Sequence, residues 1–344
     1  MRRRRDAREG EILESLDGLF FDVKGLVHPP DRIVAFIRFY PNVNGNRIKG
    51  GKLYRKVYSL KDRYRLLKER YPRYLVYDPV FDEVLCEVPR NEVKSIHDPV
   101  EFLKETLLNR DRLDELTLKA LSFAEVIKRH SKIPWESIGV SGSVMIGLHQ
   151  ESSDIDIVVY GSKNCLAVYE TMRELLEEED CVRPYREEEL KKLYKFRYSD
   201  THMRYEDFKR VERRKVTQGI YLDREFFIRF VKDFDEERES YGSILYKNCG
   251  RILVKAEVAD SSDSIFTPCR YGIENVEVVK GRKVESITEI ASFRGRFCDQ
   301  AREGELIVAQ GKLERVERAD GREYHYRVLL GGSPEDYMIV VDKR

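Results

Sequence analysis

Polar and apolar positions near the start of the chain follow strand-like patterns. Residues 18–25 and 32–40 are rich in Phe, Val, Ile and Tyr, and His28, Pro29 and Pro30 separate them. A third strand is expected over 53–59, after the turn-prone Asn42, Asn44, Gly45, Gly50 and Gly51, with a helix at 60–71. Pro79, Pro89 and Pro99 punctuate the next stretch and put a domain boundary near residue 97. From 100 to 130 the period changes: Leu103, Leu107, Leu113, Leu116, Leu121, Phe123 and Ile127 recur at helical spacing. Pro134 ends that pattern. Short strands are expected at 137–140 and 154–160, separated by room for one short helix, then a helix at 165–179 and a strand at 224–231. Beyond Gly242 the pattern is β again, at 252–258, 276–279, 306–316, 324–330 and 337–341, with Asp320 and Gly321 as a hairpin signal. About five strands in that length suggest a small barrel or sandwich, OB-like among the choices.

The sequence therefore predicts an α+β chain of three domains: a β-rich region at 1–97, a mixed module at 98–238 and a small β-barrel-like region at 239–344. A length of 344 residues agrees with more than one core. The 63 basic and 62 acidic side chains nearly cancel, so no whole-chain field draws the protein to nucleic acid, and any basic surface must be local. Charged residues reach 36%, which fits surface ion-pair networks of a heat-adapted protein and equally a well-solvated mesophilic surface. Six cysteines are scattered without a CxxC pair, which argues against a zinc site and for reduced thiols in a cytoplasmic protein. No apolar run is long enough to span a membrane, and Arg2 to Arg5 lead into Asp6 and Glu9 and not into an apolar leader.

Two devices in 140–161 belong together. A strand runs into Gly142 and Ser143, and a helix starts at once, so backbone N–H groups and a hydroxyl face any anion there. Asp154 and Asp156 are two apart on a strand, and that period puts both carboxylates on one face. Neighbouring carboxylates repel unless a cation lies between them, and Mg²⁺, or Mn²⁺ in its place, suits the pair. A triphosphate on the turn would complete the metal's coordination.

Gly142 and Ser143, ten intervening residues, then Asp154, Ile155 and Asp156 followed by Ile157, Val158 and Val159 resemble the signature of the DNA polymerase β-type nucleotidyltransferase superfamily. Within it the chain is similar to predicted archaeal nucleotidyltransferases. The resemblance covers about 100–235. It implies a small mixed sheet with flanking helices, two divalent ions held by the Asp pair and a third carboxylate, and transfer of a nucleoside monophosphate from an NTP to RNA, a protein or a small molecule. Asp154 and Asp156 are then the metal ligands, and Gly142 with Ser143 binds the nucleotide.

The position that aligns with the third acid is Phe227. Glu225 shares its strand face and is taken as the third catalytic carboxylate, with Glu257 as the second candidate; Arg229, on the same face, is a candidate phosphate ligand. If neither acid serves, the alternative is a nucleotide- or RNA-binding regulatory protein on the same scaffold. Ser152 and Ser153 orient the Asp pair or simply form a turn, and His149 reads as a surface histidine. Residues 191–215 hold ten basic and four acidic side chains interleaved with Tyr194, Phe196, Tyr198, Tyr205 and Phe208. That mixture suits an RNA acceptor, or an amphipathic helical insertion whose aromatics face a core. Asp22, Lys24 and His28 form a cluster whose spacing matches no known chemistry.

Overall fold

The computed structural model describes residues 6–237 and 239–342, so Arg2 to Arg5 lie outside the described residues. It is α+β, with several sheets and, among the described residues, seven α-helices. The described residues of Met1–Leu75, Cys86–Pro184 and Val216–Arg238 form one compact unit, and those of Val76–Leu85, Tyr185–Lys215 and Glu239–Arg344 form a second. No described helix is long and apolar enough to cross a membrane.

In the first unit the chain lays down β1 (Ile12–Ser15), β2 (Phe20–Val23), β3 (Arg32–Pro41), β4 (Arg47–Lys49), β5 (Lys52–Lys56) and α1 (Leu60–Arg70). β6 (Leu75–Asp78) and β7 (Glu83–Pro89) follow, with Val76–Leu85 belonging to the second unit, and β8 (Val93–His97) is again in the first. The path β4-β5-β3-β2-β1-β8 makes the sheet, and β7 also pairs with β3. Alternation along β2 and β3 sends Phe21, Val23, Ile33, Ala35 and Ile37 into a core with Leu67 of α1. Asp22 pairs with Phe36, and Arg38 lies two residues further on, so Asp22 and Arg38 share the other face. A second core joins Ile12, Phe20, Phe39 and Tyr54 to Met145, Ile146 and Leu148.

α2 (Pro99–Leu107) starts on Asp98, whose carboxylate accepts from the Val100 N–H at 2.8 Å, with Pro99 in its first turn. α3 (Glu115–Ser131) is capped the same way by Asp114. Then come β9 (Ile138–Val140), the single turn α4 (Gly142–Met145), β10 (Ile155–Tyr160), α5 (Ser162–Glu178) and β11 (Val182–Arg183). The chain leaves this unit for α6 (Glu187–Tyr198) and α7 (Tyr205–Glu212), and returns as β12 (Gln218–Tyr221) and β13 (Arg224–Val231). The second sheet has the order β11-β12-β13-β10-β9. β10 and β13 run parallel and β9 is antiparallel to β10, which puts the strand carrying Asp156 at an interior position.

The second unit contains β14 (Ile244–Asp260), β15 (Cys269–Lys280), β16 (Ile287–Ser292), β17 (Leu306–Arg318), β18 (Tyr324–Leu330) and β19 (Tyr337–Val341). Their order is β14-β15-β16-β18-β17-β19, and β14 also pairs with β17, so the pairings return to their start. Val254, Ala256, Tyr271, Ile290, Leu313 and Val328 fill the interior. The expected hairpin joins β17 to β18, with Gly321 at φ 70°. β1 and β16 were not expected from the sequence: β1 has only 4 residues, and β16 buries Ile290, Ala291 and Ser292 in succession, so no two-residue period stands out.

Candidate functional site

The site begins where β9 stops pairing. Ser141 donates its N–H to the Asp156 carbonyl at 2.8 Å, and its Oγ donates to the Gly10 carbonyl at 2.6 Å. Gly142 then turns with φ 65°, a conformation open to glycine. It faces the acid pair so closely that a Cβ built on it would collide with the Asp156 carboxylate. Next to it the Ser143 hydroxyl is buried and finds no hydrogen-bond partner among the described residues. A buried, unmet hydroxyl is costly in a protein that binds nothing, and is what a ligand's acceptor oxygen would satisfy.

Ile155 and Ile157 are fully buried while Asp154 and Asp156 are partly exposed, so the two carboxylates emerge on one side of β10. Burial, reinforced by Asp154, pushes the Asp156 carboxyl up to about 7, against the pull of Arg38, Lys56 and Arg229. Those three cations come from β3, β5 and β13. Arg38 Nε lies 2.8 Å from Asp22 Oδ2. Burial raises Asp22, but Arg38, Lys24 and Arg229 outweigh it and hold the group below the usual carboxylate range. Lys56, beside Phe39 and Tyr58, is pushed down by burial and by Arg38, and Asp154 and Asp156 counter this. Gly10, Asp22, Arg38, Gly142, Asp156 and Arg229 all line one narrow cleft.

Beneath the cleft Glu9 is fully buried. Its Oε1 accepts from Lys24 Nζ at 2.7 Å and from Arg229, and its Oε2 from the Gly25 N–H at 2.8 Å. Burial drives the Arg229 guanidinium down, yet Glu9, Asp22 and Asp156 together raise it above its ordinary value. Arg229 is therefore engaged by Glu9 while still facing Asp156. Of the cluster left without a chemistry, Asp22 and Lys24 belong to this network. His28 instead bridges the Ala7 carbonyl at 2.9 Å and the Val34 N–H at 3.3 Å, which fixes the turn between β2 and β3.

The parallel register pairs Asp156 with Phe227, so an aromatic ring occupies the neighbouring position on that face. One step along, Glu225 shares the face of Phe227 and Arg229 and pairs with Ile220 across β12. Glu257 lies on β14 in the second unit, opposite Leu306. Among the described residues no three His, Cys, Asp or Glu side chains converge as a metal cage. Ser153 closes its turn by accepting the Gln150 N–H at 2.9 Å, and His149 Nε2 lies 3.1 Å from Asp114.

Residues 191–215 form α6, α7 and their flanks in the second unit. Leu190, Leu193 and Phe208 form a small core there, against which Tyr194 and Tyr205 pack. Several cations are paired locally: Arg197 and Lys215 with Glu212, Lys209 and Arg213 with Glu187. Phe196 and Tyr198 remain exposed.

Arg38 and Lys56 carried no signal in the sequence, and Asp22 stood out only in a cluster without a chemistry, because the three are isolated on separate strands far from the Asp pair. Only their polar character at positions between buried neighbours could have marked them.

The family model of the Nucleotidyltransferase domain matches residues 122–216, which include the turn and both aspartates and end before β13. An uncharacterized protein of Methanocaldococcus jannaschii is 31% identical over 335 residues, covering 95% of this chain and 96% of that protein. No solved structure matches the chain.

Proposed function

The chain belongs to the DNA polymerase β-type nucleotidyltransferase superfamily, and we propose that it moves a nucleoside monophosphate from an NTP to an acceptor: RNA, a protein or a small molecule. The observation that carries this reading is the close approach of Gly142 to the Asp156 carboxylate. An anion-binding turn and an acid pair then share one place, as in-line phosphoryl chemistry requires. The mixed sheet with its flanking helices is read as the nucleotidyltransferase fold.

The residues fit the implied ligands. The Asp156 carboxyl, whose ionisation burial and the neighbouring Asp154 disfavour, suits a divalent cation, and the unmet Ser143 hydroxyl suits a phosphate oxygen. When bound, Mg²⁺ or Mn²⁺ supplies Lewis-acid stabilisation of the charge that develops on the phosphoryl oxygens. Asp154 and Asp156 hold it. Glu225 is the proposed third carboxylate. Gly142 lets a phosphate approach the backbone, Ser143 donates its hydroxyl, and Arg229, fixed by Glu9, adds positive charge beside Asp156.

The test is incubation of the full chain with each labelled NTP, Mg²⁺ and either total RNA or a cell extract. Labelled product is expected, and its absence from every combination would overturn the reading. Labelled RNA would assign the acceptor class. Gly142→Ala places a methyl group against Asp156 and strains a left-handed residue, so transfer is expected to fall about 100-fold. An unchanged rate would show that the turn does not position the acid.

A second reading, a nucleotide- or RNA-binding regulator on this scaffold, is favoured by Phe227 standing beside Asp156. It predicts NTP binding that is the same with and without Mg²⁺ by calorimetry. Transfer predicts binding that Mg²⁺ strengthens.

A further inference from the structure

We propose that the N-terminal sheet supplies the second half of the nucleotide site, with Lys56 of β5 and Arg38 of β3 gripping the triphosphate arm opposite the Gly142–Ser143 turn. The proposal rests on the nucleotidyl-transfer reading and extends it to a region outside the matched domain, which begins at residue 122.

Three observations carry it. First, Arg38 lines the same cleft as Gly142 and Asp156, and Lys56 is an electrostatic neighbour of both Asp154 and Asp156. Second, the cations around the cleft are not equally engaged. Arg229 is held by Glu9 and Arg38 by Asp22, but the Lys56 ammonium makes no hydrogen bond or ion pair among the described residues. Its ammonium sits 5.2 Å from the Tyr58 ring and 5.9 Å from the Phe39 ring, which hold its stem while leaving its donors unused. Third, Ser143 follows the cleft-lining Gly142, and its hydroxyl, on a residue 4% exposed, is buried and unmet. Two unsatisfied donors, one next to the cleft-lining Gly142 and one on the strand paired with that of the cleft-lining Arg38, are what a polyanion would join.

The charge arithmetic points the same way. In the free protein Lys56 is balanced by the aspartates. Once divalent cations take those carboxylates, Lys56 loses its counter-charge in a partly buried place, a costly state unless a second anion arrives. The triphosphate of the substrate is that anion. Asp22 aligns the Arg38 guanidinium and so acts as a positioning residue.

The sheet is also fixed rigidly enough to serve. Lys49 donates to the Ile146 carbonyl at 2.7 Å and Gln150 to the Asn46 carbonyl at 3.0 Å, tying β4 and its approach to the segment that follows the turn. Arg47 does the same at the Leu148 carbonyl.

The experiment is calorimetry of the full chain with inorganic tripolyphosphate, with ATP and with adenosine, all in Mg²⁺, for the wild type, Lys56→Met, Lys56→Arg and Arg38→Met. Melting temperatures check folding. Lys56→Met is expected to weaken tripolyphosphate and ATP about 10-fold or more, as loss of a charge-assisted contact does, and to leave adenosine unchanged. Lys56→Arg should recover most of the loss. If folded Lys56→Met and Arg38→Met both bind tripolyphosphate as the wild type does, the inference is overturned, and labelled transfer by those proteins would leave the nucleotidyl-transfer reading standing. If the wild type binds tripolyphosphate through Lys56 but transfers no label, the reading fails and the anion site survives. A wild type that binds neither polyphosphate nor nucleotide sinks both.

Discussion

Asp156→Asn is expected to lower labelled nucleotide transfer by about 1000-fold or more while making the free protein more stable above neutral pH. Both effects have one cause. Burial and the nearby Asp154 hold the Asp156 carboxyl at about 7, well above the ordinary 3.8 of an unfolded chain. Folding therefore favours the protonated form. The stability this contributes is fully present below pH 4 and is lost as pH rises through about 7, where the folded protein must carry the buried charge. An amide imitates the neutral form at every pH. The variant should thus show a flatter dependence of melting temperature between pH 4 and 7, and gain about 1 kcal/mol over the wild type at pH 8 in metal-free buffer. Activity moves the other way, since an amide lacks the charge that a divalent cation requires. A variant with wild-type transfer, or one less stable than the wild type at pH 8, would refute this account. The same linkage makes Mg²⁺ binding release a proton below pH 7, so Mg²⁺ affinity should rise as pH climbs from 5 to 7 and level off above it.

Glu9→Ala should be among the most damaging single changes in the first unit, at about 3–5 kcal/mol by denaturant unfolding. Glu9 is fully buried, and its carboxylate is the shared partner of Lys24 and Arg229. Truncation leaves two cations in the interior with no carboxylate between them and opens the Gly25 N–H. Glu9→Gln keeps the shape and an acceptor for that N–H, and should lose less. If Glu9→Ala cost under about 1 kcal/mol, the buried network would not be what holds Arg229 in place.

How much was legible in advance differs from one region to another. β3, α3 and β13 were readable because each is long enough for its period to repeat, and β10 because it is an apolar run that follows the first aspartate. β10 in particular carries Ile155, Ile157, Val158 and Val159, at most 1% exposed, directly after the first aspartate. The turn and the acid pair were readable for a different reason: 10 residues fall between Ser143 and Asp154, so the whole device is local. The insertion at 191–215 held an ambiguity that its helices resolve in part, with Phe208 buried and several of its cations paired to Glu187 and Glu212. Phe227 was legible as a departure, and its register beside Asp156 makes that departure concrete.

The sequence by itself determined that an anion-binding turn and two carboxylates lie on one strand–turn–strand device, because backbone geometry fixes what neighbours along the chain can do. Only the tertiary structure decided what faces that device. Asp22, Arg38 and Lys56 sit on three strands of another sheet and Glu9 precedes them all; Arg38, Lys56 and Glu9 are unremarkable in their own segments, and Asp22 stood out there without a role. Their convergence on Asp156 follows from packing Phe20, Phe39 and Tyr54 against Met145 and Ile146, and such long-range packing leaves no period in the sequence to read.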